Sequence, residues 1–289
     1  MLAVFVSLAT PCDCRWRDRR SVGVVYGECM LTSWALTDLL MLAGGAFLAG
    51  LVDAVVGGGG LIAVPTLFAV FPNAAPPLLF GTNKMAGIWG TASAALRYAR
   101  GIQLRWAILV PATVAAFAFS FCGAYAVTHV PADMLRKVLP FVLVAVAVYT
   151  LRKKDFGTVH APVQGSVGVT LTAIAVGGAI GFYDGFFGPG TGSFLVFLFV
   201  RLFGQDFVNA SASSKIVNVA TNLAALLLFG MGGHVWWQVG IGMAVMNVLG
   251  SLVGSRLALK HGVGFVRRMF LGVLAVLIVK TGYDAFFRG

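Results

Sequence analysis

Charge is what this sequence has least of. Only 11% of its 289 residues are charged, against 59% hydrophobic, and the mean hydropathy is +0.91. A soluble domain carries roughly 25% charged residues, so a chain bathed in water on every side is excluded. Alternating apolar and polar strands of about ten residues, the mark of a transmembrane barrel, are also absent. Cysteine and histidine number four each. Cys12, Cys14 and Cys29 precede the apolar runs and Cys122 lies inside one. No second pair follows at zinc-ligand spacing, so nothing supports a zinc site. Histidines 129, 160, 234 and 261 fall in predicted loops. The chain offers no catalytic dyad, no metal set and no cofactor signature, and enzymatic function is not expected.

What it does have is long continuous apolar runs, 37 glycines and 23 phenylalanines. Glycine is commoner in membrane helices than in soluble ones, and the expected fold is an all-α integral membrane protein. The net charge of +11 is not spread as a nucleic-acid surface would be. It sits in clusters between apolar runs: Arg97, Arg100 and Arg105; Arg152, Lys153 and Lys154; Arg256, Lys260, Arg267 and Arg268. That is the appearance of cytoplasmic loops under the positive-inside rule. The lipid bilayer is thus the expected partner, and nucleic acid is not.

The chain is internally duplicated. Moving 131 residues along carries Asp53 to Asp184, Gly57 to Gly188, Lys84 to Lys215 and Trp106 to Trp237, with no gap. Gly123 and Gly254, and Arg136 and Arg267, keep the same offset. The organisation reads as a leader (1–35), a first repeat (36–152), a cytoplasmic linker (153–165) and a second repeat (166–289). Residues 1–29 match neither copy. Their charges follow the short apolar run, the reverse of a signal peptide, so they read as a loose leader or as an over-extended frame whose start is Met30 or Met41.

Each repeat divides in the same way. Segment A (36–56) ends at Gly57-Gly58-Gly59-Gly60, and B (61–71), about eleven residues or roughly 16 Å of helix, is too short to cross about 30 Å of hydrocarbon. Segments C (79–98), D (106–127) and E (138–151) follow, and A′ (167–187), B′ (193–203), C′ (210–230), D′ (237–257) and E′ (266–287) repeat the order. Basic residues mark the C–D loop in the first copy but the D′–E′ loop in the second, while Met231-Gly232-Gly233-His234 carries no Lys or Arg. A charge bias that changes sides is the signature of inverted topology. The expected architecture is two inverted-topology repeats, each with a Gly-broken re-entrant or discontinuous helix pair plus three spanning helices. Arg136 and Lys137 fall on the side expected to be external and run against this scheme.

Half-length segments at matching places in two inverted halves point to a transporter's binding site. The N–H groups and positive dipole ends of B and B′ would face an anion. The expected anion ligands are Gly57, Gly58, Gly59 and Gly60 with Gly188, Gly190, Thr191, Gly192 and Ser193, joined by Thr82, Asn83 and Lys84, and by Ser213, Lys215 and Asn218. Lys215, Asn218 and Asn222 share one helix face, as do Lys84, Gly87 and Thr91. Two other readings compete. The glycines would equally serve close helix packing, and the lysines would equally neutralise Asp53 and Asp184, each carboxylate having a lysine in its own repeat. Asp53 and Asp184 are candidates for ion coupling or charge pairing. The same elements would also suit the filter of an anion channel.

The pattern Gly50-x-x-Asp53-x-x-x-Gly57-Gly58-Gly59, then Pro65-x-Leu67, then Gly81-Thr82-Asn83-Lys84, resembles the first half of the TauE/SafE sulfite-exporter family. Gly181-Phe182-x-Asp184-Gly185-Phe186-Phe187-Gly188-Pro189-Gly190-Thr191-Gly192 and Ala212-Ser213-Ser214-Lys215-x-x-Asn218 are similar to its second half. The resemblance spans about residues 36–287. It implies a permease of the bacterial inner membrane for sulfite or a related sulfur-containing anion, or for a different small substrate handled by the same family. A homodimer is left open.

Overall fold

The computed structural model describes residues 36–99, 104–152 and 166–261. The leader, the linker and segment E′ lie outside these residues. The chain divides into two compact units, Met1–Met41 and Leu42–Gly289, and every interhelical contact below lies in the second.

Among the described residues there are nine helices and no strand. They are α1 (Leu36–Val56), α2 (Gly60–Val70), α3 (Pro76–Ala99), α4 (Trp106–Thr128) and α5 (Ala132–Arg152), then α6 (Ser166–Phe186), α7 (Thr191–Phe203), α8 (Phe207–Met231) and α9 (Trp237–His261). Five, namely α1, α4, α6, α8 and α9, are long and apolar enough to cross a membrane, whereas α2 and α7 are too short. Helices α3 and α5 have the length, with 24 and 21 residues, but carry more polar groups. The protein is a multi-pass helical membrane protein.

Of the boundaries that differ from the sequence reading, three change the setting of a proline, a basic residue or a histidine. Pro76 and Pro77 begin α3 instead of merely preceding it, because proline's missing N–H costs nothing in a helix's first turn. Helix α5 starts at Ala132, six residues before the expected Val138, so Arg136 and Lys137 are helical. The Arg136 guanidinium donates to the main-chain oxygens of Pro72 and Ala74 and lies 5.8 Å from the Phe68 ring centre. Its charge therefore ties down the α2–α3 turn. Finally, His261 closes α9 instead of lying in a loop.

The longest-range packing is reciprocal between the copies. In the first copy a methyl group at Gly50 on α1 would lie 1.9 Å from the Asn247 carbonyl oxygen on α9; one at Gly181 on α6 would lie 2.4 Å from that of Ala116 on α4. Gly181 stands 131 residues after Gly50, and Asn247 the same distance after Ala116. The pairs Gly254 with Leu51 and Gly123 with Phe182 match in the same way, each at 2.2 Å. Contacts in which residue i meets j, and the copy of j meets the copy of i, are those of a two-fold interface. At these spacings backbones touch, as small residues allow between membrane helices. Packed between the interfaces, α3 and α8 bury Lys84 and Lys215 at 3% and 4% exposure.

Candidate functional site

The two glycine-rich breaks meet. After α1 the chain turns at Gly57 (φ +76°), and after α6 at Gly188 (φ +86°) and Gly190 (φ +85°), a region of backbone space open chiefly to glycine. The Ser193 N–H donates to the Gly57 carbonyl at 3.1 Å, joining the start of α7 to the first break. A methyl group at Gly57 would sit 2.6 Å from the Gly192 carbonyl carbon, so here glycine answers to a close approach as well as to φ. The Tyr183 hydroxyl holds the second break by donating to Pro189 O at 2.5 Å.

Each carboxylate lies at the start of a half-length helix. Asp53 Oδ1 faces the Gly59 N–H at 3.4 Å, and its Oδ2 accepts from the Thr91 hydroxyl at 2.9 Å. Asp184 Oδ1 accepts from the Thr191 hydroxyl at 2.7 Å. The positive ends of α2 and α7 thus already face the protein's own anions, which qualifies the expectation that these ends wait free for a ligand.

The lysines pair across the duplication. Lys84 Nζ donates to Asp184 Oδ2 at 2.6 Å, the one ion pair among the described residues. Lys215 Nζ, the equivalent group, donates instead to the Asp53 main-chain oxygen at 2.5 Å and lies 5.7 Å from the centre of the Tyr98 ring. The expectation that each lysine serves the aspartate of its own repeat is therefore corrected. Helices α3 and α8 each reach over the opposite copy's break, a geometry invisible in linear spacing.

Between the breaks lies a cavity of about 30 Å³, room for about two waters. Of the expected ligands, Gly57, Gly59, Gly60, Asn83, Lys84, Gly188, Thr191, Gly192 and Asn218 line it, together with Asp53 and Asp184. Gly58, Thr82, Gly190, Ser193, Ser213 and Lys215 do not line it. Thr82 spends its hydroxyl on the Leu78 carbonyl and on the Trp236 N–H, while Gly190 faces Val146.

Thr91, Asn222 and Asn247 also line the cavity and were not among the expected ligands. The first two lie on helix faces already singled out by spacing. Asn247 lies within α9 and donates to Ala46 O at 3.2 Å. Its counterpart in the first copy is Ala116, so the duplication gave no hint of it. The available signal was a lone asparagine inside an apolar span. Among the described residues no cluster of His, Cys, Asp or Glu could hold a metal ion.

A polar, charge-bearing pocket buried among long apolar helices, where two glycine breaks meet, suits a membrane transporter. The sequence pattern of the family described as sulfite exporter TauE/SafE matches residues 42–281, and the chain belongs to that family. It is 38% identical over 242 residues to a probable membrane transporter protein, ORF9, of Sinorhizobium sp, covering 83% of this chain and 90% of that one. Identity to the probable membrane transporter protein YfcA of Escherichia coli K12 is 37% over 240 residues, 83% of this chain and 88% of that one. A probable membrane transporter protein of Haemophilus influenzae is 33% identical over 242 residues, covering 82% and 92% of the two chains. No solved structure matches this chain.

Proposed function

We propose that this protein is a secondary transporter of the bacterial inner membrane that carries sulfite or a related small sulfur-containing anion. The observation that carries the reading is the cavity itself, where both glycine breaks, four asparagines and a buried lysine converge. Its room is that of about two waters, so the breaks would have to part to admit sulfite, and further for a longer organic sulfonate. The two repeats have inverted topology, a reading supported by the reversed loop charges and by the reciprocal packing of α1 on α9 and of α6 on α4. Alternating access follows from one copy rocking against the other about this site.

Purified protein in proteoliposomes should accumulate labelled sulfite down an imposed gradient, with unlabelled sulfite competing. Uptake indistinguishable from empty vesicles across a panel of sulfur oxyanions would refute the substrate class. For topology, cysteines placed at Lys153 and Lys260 should react from the cytoplasmic face and one at Gly233 from outside. Labelling of Gly233→Cys and Lys153→Cys from one face would end the inverted-repeat reading.

A further inference from the structure

We infer that the anion binds together with a proton, and that the proton goes to Asp53 and not to Asp184. The inference rests on the anion-transport reading and adds the coupling ion and the group that carries it.

The argument is one of charge. Asp53, Asp184, Lys84 and Lys215 are buried together, at 7%, 2%, 3% and 4% exposure. Fully ionised, they sum to zero. An anion entering the cavity leaves the cluster at minus one inside a membrane, where an uncompensated charge costs at least ~2.5 kcal/mol. One proton restores neutrality. The cavity wall sharpens the need, because two carboxylates but only the Lys84 ammonium line it. Lys215 is held behind it, on the Asp53 carbonyl.

The geometry then selects the carboxylate. Asp184 is held by Lys84 at 2.6 Å and by the Thr191 hydroxyl at 2.7 Å, so protonating it would break the ion pair. Asp53 has only neutral donors on its carboxylate, the Thr91 hydroxyl and the distant Gly59 N–H. The Thr91 hydroxyl can rotate from donating to accepting once Asp53 carries a proton, so the contact survives the change. The charged and titratable groups around Asp53 are Lys215 of α8, Tyr98 and Lys84 of α3, and Asp184 of α6. Tyr98 donates its hydroxyl to Ala54 O at 3.1 Å. Asn247 is the cavity-lining group of α9 and does not titrate.

The test is calorimetric titration of the full chain with methanesulfonate, a small anion that does not itself titrate near neutrality, and with sulfite. Each titration is run in two buffers of different ionisation enthalpy. We expect uptake of about one proton per methanesulfonate and affinity that rises up to about tenfold per unit fall in pH above the midpoint. Asp53→Asn should bind the anion with no proton uptake and no pH dependence. Should that variant fold poorly, Thr91→Val gives a second reading. Losing a donor to the ionised carboxylate, it should move the pH midpoint of binding upward, and an unmoved midpoint counts against the inference. Anion binding by the wild type without proton uptake, or uptake that persists in Asp53→Asn, overturns the inference and leaves the transport reading standing. Failure of both probes to bind at any pH overturns both.

Discussion

Asp53 and Asp184 hold equivalent places in two copies of one sequence, yet their surroundings differ. Asp184 is clamped by an ammonium and by the hydroxyl of the first residue of α7. Asp53 sees no ammonium on its carboxylate, and the first residue of α2 is Gly60, which has no side chain to offer. In place of Thr91, which serves Asp53, the second copy has Asn222. The helix contacts match at an offset of 131 residues, while the side chains around the two carboxylates do not. One carboxylate is held in a direct ion pair, and beside the other the lysine rests on the main-chain oxygen.

The comparison is tested hardest at the lysines. Lys84→Met leaves Asp184 buried and unpaired, which costs about 3–5 kcal/mol. The expected result is severe loss of thermal stability in detergent, largely recovered in Lys84→Met with Asp184→Asn but not in Lys84→Met with Asp53→Asn. Recovery by the Asp53 change would show that pairing follows the repeat and not the fold. Lys215→Met removes a contact to a main-chain oxygen and should cost less, about 1–3 kcal/mol.

The glycine turns sharpen the contrast at a smaller scale. Gly57→Ala meets both an unfavourable φ and the backbone of Gly192, and should destabilise by more than the ~1–3 kcal/mol of backbone strain alone. At Gly188 the φ is similar, but the nearest atom to an added methyl is Lys84 Nζ at 3.1 Å, against backbone at 2.6 Å for Gly57. Gly188→Ala should therefore cost less. Equal unfolding temperatures for the two variants would contradict this difference between the breaks.

The smallest effect is expected at Asp206, which precedes α8 and accepts from the N–H groups of Val208 and Asn209 at 3.0 and 3.1 Å. Its first-copy counterpart is Ala75, which has no such side chain. Asp206→Ala should cost about 0.5–2 kcal/mol, the usual value of a helix cap. Burial alone would raise the carboxyl's pKa, but hydrogen bonds from the Asn209 side chain and from the main chain outweigh it and hold it below the usual range. A depressed folded-state pKa stabilises above the unfolded value and is lost as pH falls through the folded one. The variant should therefore differ from wild type at neutral pH and converge with it in acid. A difference unchanged in acid would deny the carboxylate its capping role.

The sequence by itself determined that the chain crosses a membrane, that its key residues recur at a fixed offset, and where most helices run. Hydrophobic burial in lipid needs about twenty apolar residues in a row, and a register of 131 residues needs no folding to be seen. It also marked Gly57, Gly188, Lys84, Lys215 and both aspartates, because glycine runs and charges are rare and costly at membrane depth. Only the tertiary structure decided how these residues combine. Lys84 and Asp184 stand 100 residues apart and meet because α3 packs over the other copy's break. Asn247 enters the site for the same reason, on a helix whose sequence copy contributes nothing there. Electrostatic partnership depends on distance in space, and packing across a two-fold brings close what the chain keeps far apart.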